Sequence, residues 1–285
     1  KVIGTGGVIR IVNSCDIEKG FIRKIHLPEK MIPRLQVLEY TRAFLLGRMA
    51  WSHLDGLMLI SGAMGMFDRE TVIQAGGYSI KTVGEDMELV LRMRRYMAEQ
   101  KRGYEVTYIP DPLCWTEVPS DLRSMKKQRN RWTRGLIESL WTHRKIFFNR
   151  KYKRLGLLGY PYWFFFEWMA PLIAFGGFVY TAYLIIAGKL NWSFFLLLFL
   201  FVYTFAVLLS TWSVLFEEIT FHKYERKKDV LRLLAAALVE PFFYPVHTWF
   251  AVTGNLQSLF RITDWGSIKR KGFENKKKPV KIKPA

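Results

Sequence analysis

Apolar residues dominate the second half of the chain, whereas in the first half they are interleaved with polar ones at short periods. Between positions 155 and 188 the only charged residue is Glu167, and between 190 and 216 there is none. Each run exceeds the roughly 20 helical residues needed to cross a hydrocarbon core of about 30 Å. The first is too long for one simple span and contains Pro161 and Pro171. Its start is expected to lie along the membrane interface and its later part, 171–187, to cross. Tyr160, Tyr162, Trp163, Trp168 and Trp192 suit the headgroup belts. A third apolar run, 233–260, carries Glu240, Pro241, Pro245 and His247 and predicts a kinked helix. Basic residues cluster in the loop 221–229 and again from Arg261 onward, which places both flanks of the third run on one side. Two full crossings plus a re-entrant or interfacial third helix satisfy that rule; three full crossings do not. Glu240 reads either as an interface residue of a proline-kinked helix or as part of a polar path.

The first 150 residues predict an α/β segment. A strand is expected over 4–12, an amphipathic helix over 35–48 after Pro33, and an apolar strand interrupted by small residues over 57–67. A helix over 85–100 follows, then a short strand over 104–109 closed by Pro110-Asp111-Pro112, and a basic helix over 121–141. Gly4-Thr5-Gly6-Gly7 is no nucleotide fingerprint, because it leads into a strand instead of linking a strand to a helix. The expected organisation is therefore a cytoplasmic α/β region over 1–150, a membrane region over 151–260 and a basic cytoplasmic tail over 261–285.

Charge narrows the partners. The chain has 43 Lys and Arg against 24 Asp and Glu, a net +19. Alone, that balance suits nucleic acid, an anionic membrane face or a phosphorylated substrate. The surplus concentrates beside the apolar runs and no nucleic-acid recognition motif is visible, so nucleic acid is not an expected partner. With only Cys15 and Cys114, no disulfide framework or cysteine zinc site can be drawn, and both thiols are expected reduced. His26, His53, His143, His222 and His247 are too scattered for a metal cluster.

Three constellations carry candidate chemistry. Gly84-Glu85-Asp86 opens a helix whose apolar face is Met87, Val90, Met93 and Met97. Acids in a first turn complement the helix dipole, and a carboxylate held there beside a loop can also accept a proton from a substrate hydroxyl. Gln128-Arg129-Asn130-Arg131-Trp132 fits an amphipathic helix at lipid phosphates, or a site in which Arg131 neutralises a leaving diphosphate and Trp132 offers a flat face to a sugar. Ser61-Gly62-Ala63-Met64-Gly65, followed by Asp68-Arg69-Glu70 and Gly76-Gly77-Tyr78, is either a tight strand-to-helix turn or a place where backbone approaches a ligand.

Taken together and in this order, these residues resemble the processive family 2 glycosyltransferases, the group containing cellulose, chitin, hyaluronan and poly-N-acetylglucosamine synthases. Gly84-Glu85-Asp86 is similar to that family's acid-aspartate motif, Gln128-Arg129-Asn130-Arg131-Trp132 to its Q-x-x-R-W motif, and interfacial and transmembrane helices follow as they do there. The resemblance implies part of a GT-A-type α/β domain followed by transmembrane and interfacial helices, in a bacterial-type plasma membrane. It implies that Asp86 is the general base of an inverting transfer from a nucleotide sugar, a UDP-sugar, to a growing polysaccharide or a glycolipid, with membrane lipid as a further partner and export as a coupled step. Gln128, Arg131 and Trp132 would lie at the donor diphosphate and the terminal acceptor sugar. Ser61 and Gly62 would border the acceptor pocket, and Glu85 and Arg129 join the same binding set.

Family members bind the nucleotide and a divalent metal, Mg or Mn, through a preceding half domain ending in Asp-x-Asp. No Asp-x-Asp occurs in this sequence. The chain is therefore expected to be the carboxy-terminal part of such a protein, with the metal ligands outside it; the alternative is an inactive protein. Two other functions stay open: transfer of one sugar to a lipid carrier, and a non-catalytic membrane transport or scaffold component.

Overall fold

The computed structural model describes residues 1–260 of the chain; the tail expected over 261–285 lies outside them. Strand β1 (Val2–Ile11) is the centre of a three-stranded sheet. It pairs antiparallel with β4 (Gly65–Phe67) and parallel with β5 (Glu105–Thr116). Its Ile3, Val8, Ile9 and Ile11 are buried, as a strand covered on both faces requires. Strands β2 (Asp16–Glu18) and β3 (Phe21–Lys24) form a separate hairpin.

Two strand expectations change. Over 57–67 only Gly65–Phe67 is strand, although Leu57, Met58 and Ile60 are fully buried. At the start of the run a buried arginine stands in for a neighbouring strand: Arg94 donates to Leu57 O at 2.6 Å and to Asp55 O, just before the run, at 2.7 Å. An apolar run reports burial, not pairing, and here the two separate. Conversely, Pro110 and Pro112 do not end the strand begun at Glu105. Gly7 pairs with Ile109 and Ile9 with Cys114, so the prolines sit in a bulge where no ladder donor is needed, and β5 resumes beyond it.

The helix expected over 35–48 is longer at both ends. It begins as α1 (Met31–Tyr40), passes through a π-helical turn at Thr41–Gly47 and continues as α2 (Arg48–His53). Pro33 is tolerated because it stands in the first turn, where its missing N–H has no partner to lose. Short helix α3 (Arg69–Gln74) is capped by Asp68, which accepts from Thr71 N at 2.9 Å. Helices α4 (Glu85–Glu99) and α5 (Leu122–Thr142) fall where the periodicity places them. Asp121 caps α5 by accepting from Ser124 N at 2.9 Å.

Among the described residues, three helices are long and apolar enough to cross a membrane: Leu155–Ile186, Trp192–Phe221 and Lys227–Leu259. The first is continuous, with π-helical turns at Leu155–Gly159 and Trp163–Met169 on either side of Pro161. Its Leu155, Tyr160 and Pro161 are buried against the α/β region, whereas Ile173, Val179, Tyr180 and Ile186 are exposed apolar surface. The third breaks into a 3-10 turn at Glu240–Phe243, where Pro241 stands.

The α/β region and these helices share one core. Val214 of the second helix and Leu233, Ala236 and Ala237 of the third belong to the same buried cluster as Ile9, Leu38 and Leu89. Two acid knots reinforce the junction. Glu217 of the second helix, 4% exposed, accepts from Arg10 of β1 at 3.1 Å, from Thr41 at 3.0 Å and from Lys223 at 3.4 Å. Arg42, one residue on, donates to both oxygens of Glu240 at 2.5 Å and also contacts Ser210. Successive side chains of a helix point in different directions, which lets the adjacent Thr41 and Arg42 reach two different membrane helices.

Removing the Glu217 carboxylate leaves Arg10 and Lys223 buried without their counter-charge. Glu217→Gln is expected to cost about 3–5 kcal/mol, read as a lowered thermal midpoint of the detergent-solubilised protein; an unchanged midpoint contradicts the junction described.

Candidate active site

Helix α4 starts beside α5 because two glycines allow their backbones to touch. A Cβ on Gly84 would lie 2.7 Å from Gly135 Cα, and one on Gly135 only 2.6 Å from Gly84 Cα. No side chain fits at either position. One turn further along α5, Glu138 accepts from Thr82 Oγ1 at 2.7 Å and from Val83 N at 2.9 Å, fixing the turn that leads into Glu85 and Asp86. Gln128, Arg131, Trp132, Gly135 and Glu138 follow one another at helical spacing, so the face that meets Gly84 also carries the three motif side chains.

Asp86 is held from two sides. Its Oδ2 accepts from Gly62 N at 3.0 Å and its Oδ1 from Met87 N at 2.8 Å. The small-residue segment and the helix-opening acids, read separately in the sequence, thus meet directly: the exposed Gly62 amide orients the carboxylate.

Arg129 is paired within the protein. Both terminal nitrogens of Arg129 pair with the two oxygens of Glu39 from α1, one at 2.5 Å. Its guanidinium lies 4.5 Å from the centre of the Trp132 ring. Burial pushes the Glu39 carboxyl up, but the charge and hydrogen bonds of Arg129 outweigh it, with Arg42 adding to them, and hold it below the ordinary glutamate range. Arg129 therefore braces Trp132 from beneath, its fork taken by Glu39. Trp132 itself is 39% exposed.

A cleft of about 990 Å³ gathers these groups. Ser61, Gly62, Glu85, Asp86, Gln128, Arg129, Arg131 and Trp132, all eight of the residues singled out from the sequence, line it. Asp68, Arg69, Glu70 and Gly76-Gly77-Tyr78 are not among its lining residues. At its other end the cleft passes between the first and third membrane helices, where Tyr162, Trp163 and Pro171 face Tyr244, His247 and Thr248. Glu240 does not line it; that carboxylate is spent on Arg42 and Ser210. Among the described residues no three His, Cys, Asp or Glu side chains gather as metal ligands, so the divalent ion that the resemblance implies finds no ligand set among them.

Sequence reasoning missed Glu39, Gly135, Glu138 and the membrane-side lining. Gly135 stands seven residues after Gln128 on the same face, a signal that helical spacing offered. The Glu39 pairing with Arg129, by contrast, spans 90 positions and leaves no trace in one sequence.

Gly135→Ala is expected to destabilise the protein by about 1–3 kcal/mol, since backbone must move to admit the methyl group. Gly177 of the first membrane helix has open space around it, and Gly177→Ala serves as the comparison. Equal thermal midpoints for the two variants would contradict the contact.

Poly-beta-1,6-N-acetyl-D-glucosamine synthase of Staphylococcus aureus strain COL is 27% identical over 134 residues, 47% of this chain and 31% of the synthase. Probable glucomannan 4-beta-mannosyltransferase 6 of Oryza sativa subsp. japonica is 28% identical over 105 residues, 37% of this chain and 17% of that protein. The chain thus matches less than a third of the length of each of these curated relatives. The family model "Glycosyl transferase family group 2" matches residues 30–208, well over half of the chain, taking in the Gly84-Glu85-Asp86 and Gln128–Trp132 motifs and the first membrane helix. The chain belongs to the family 2 glycosyltransferases.

Proposed function

We propose that this membrane protein transfers a sugar, with inversion, from a nucleotide sugar to a growing polysaccharide, and that the product moves on between its membrane helices. The observation that carries the reading is the shared cleft: a carboxylate oriented by backbone, and an arginine and a half-exposed indole on the facing helix, line one cavity. In that cavity an acceptor hydroxyl attacks the anomeric carbon while Asp86 takes its proton. The bond from that carbon to the diphosphate oxygen breaks in the same displacement, and Arg131 faces the charge that develops on the leaving group. A single displacement inverts the anomeric centre. Trp132, braced by Arg129, offers its ring to the terminal acceptor sugar.

Export is favoured by the course of the cleft, which continues from Asp86 to Pro171 and Tyr244 between two helices able to cross a membrane. The same opening would admit a lipid-linked acceptor, so transfer of one sugar to a lipid carrier is the second reading; product length separates the two. The basic flanks of the apolar runs favour a cytoplasmic position for the catalytic region. A UDP-sugar is the donor we propose, by the resemblance of the two motifs.

The test uses the purified full-length protein with radiolabelled nucleotide sugars and Mg²⁺ or Mn²⁺. Asp86→Asn is expected to lower transfer by at least about 100-fold with donor binding retained. Full activity in that variant would remove Asp86 as the base.

A further inference from the structure

The stretch that joins α5 to the first membrane helix takes no part in the cleft, yet its surface is the most one-sided in charge of the connections described. Between Glu138 and Glu167 the sequence has no acid and six cations: Arg144, Lys145, Arg150, Lys151, Lys153 and Arg154. All six are exposed, and among the described residues none is ion-paired with a carboxylate. Like charges held this close repel one another, and an anion from outside the protein would relieve that repulsion.

The segment is a built platform. Turns of 3-10 helix form at Arg144–Ile146 and Arg150–Tyr152. Asn149 ties them together: its side-chain amide donates to Lys145 O at 3.0 Å, and its Oδ1 accepts from Lys151 N at 3.0 Å. Gly156 lets the chain fold back on itself, because a Cβ there would fall 2.8 Å from Ile146 O. Underneath, Ile146 and Tyr152 are buried in one cluster with Leu155 and Tyr160 of the first membrane helix. The cations therefore project from a fixed surface.

Exposed aromatic rings stand among them. Trp141 is 68% exposed, and the Arg144 guanidinium lies 5.2 Å from its ring centre. Phe148 is 57% exposed and has φ 48°, the left-handed region in which a bulky residue is strained. Its neighbour Phe147 packs on Phe164 of the membrane helix with ring centres 4.8 Å apart. That contact fixes the platform where the helix's exposed apolar surface begins, at Leu157, Leu158, Phe165 and Phe166. Cations and interfacial rings bordering a lipid-facing surface match phosphates laid over a hydrocarbon layer. A soluble phosphate would meet the cations alone, and a nucleic acid would leave the leucines uncovered.

We infer that residues 141–154 form a docking site for anionic phospholipid headgroups, which holds the end of the motif helix α5 against the bilayer surface. This goes beyond the transferase reading and does not depend on it.

The full-length protein in detergent is titrated with phosphatidylglycerol, and with phosphatidylcholine for comparison, while its thermal midpoint is read. Phosphatidylglycerol is expected to raise the midpoint and phosphatidylcholine to leave it in place. Arg150→Gln, Lys151→Gln and Lys153→Gln combined should keep the lipid-free midpoint and weaken the phosphatidylglycerol titration about 100-fold, roughly fivefold per cation. Lys19→Gln, Lys24→Gln and Lys30→Gln combined remove as many exposed cations outside the platform and should leave the titration unchanged. Phe148→Asn suits the left-handed backbone, so it should keep or raise the lipid-free midpoint while weakening the titration about fivefold. A loss below about tenfold in the first triple variant overturns the site, as does an equal loss in the second. So does a midpoint raised as far by phosphatidylcholine, by glycerol 3-phosphate or by a single-stranded oligonucleotide.

Discussion

Everything at the cleft depends on two backbones touching. Gly84 and Gly135 bring the opening of α4 against the middle of α5 so closely that neither position admits a side chain. From that contact the rest follows by helical geometry. Asp86 is two residues beyond Gly84, while Arg131 and Trp132 are one turn before Gly135 on the same face. Glu138 closes the arrangement by taking the amide of Val83 and the hydroxyl of Thr82. A rigid platform of this kind is what a displacement reaction needs, because a base and a charge-neutralising group must be held on opposite sides of one reacting carbon before the substrate arrives.

The second constraint is where that platform sits. Side chains of the sheet and of α4 share a buried cluster with residues of the second and third membrane helices. Two acids from those helices, Glu217 and Glu240, receive Arg10, Thr41 and Arg42 from the α/β region. Buried ion pairs are modest contributors to stability, because desolvation offsets most of their attraction, but they fix orientation. Here the orientation they fix runs the cleft from Asp86 to the gap between the first and third membrane helices. Asp86 and residues of the first and third membrane helices thus line one cavity.

Local chemistry was legible in the sequence. The helices α4 and α5, the central strand and the three apolar helices follow from periodicity and capping residues, and the eight candidate site residues that line the cleft came from the resemblance their motifs carry. What was not legible depends on partners distant in the chain. The run at 57–67 looked like a strand because its side chains are apolar, yet its first carbonyl, that of Leu57, is taken by Arg94, 37 residues away. Pro110 and Pro112 looked like a terminator because a proline cannot donate, yet a bulge opposite Gly7 and Ile9 removes the need for a donor. Arg129 looked like a second ligand-binding arginine, and only Glu39, 90 positions earlier, assigns it to bracing Trp132. Trp163 and His247 were read as a headgroup-belt residue and as part of a kinked helix, and nothing in one sequence joins them to Thr248 along the same cleft.

The central claim is that Asp86 and Arg131 serve one substrate in one cleft. Transfer rates of the full-length protein carrying Asp86→Asn, Arg131→Ala and both substitutions test it most directly. Groups acting on the same transition state are strongly non-additive, so the double variant should be little slower than the slower single variant. Losses that simply multiply would place the two side chains in independent sites and contradict the claim.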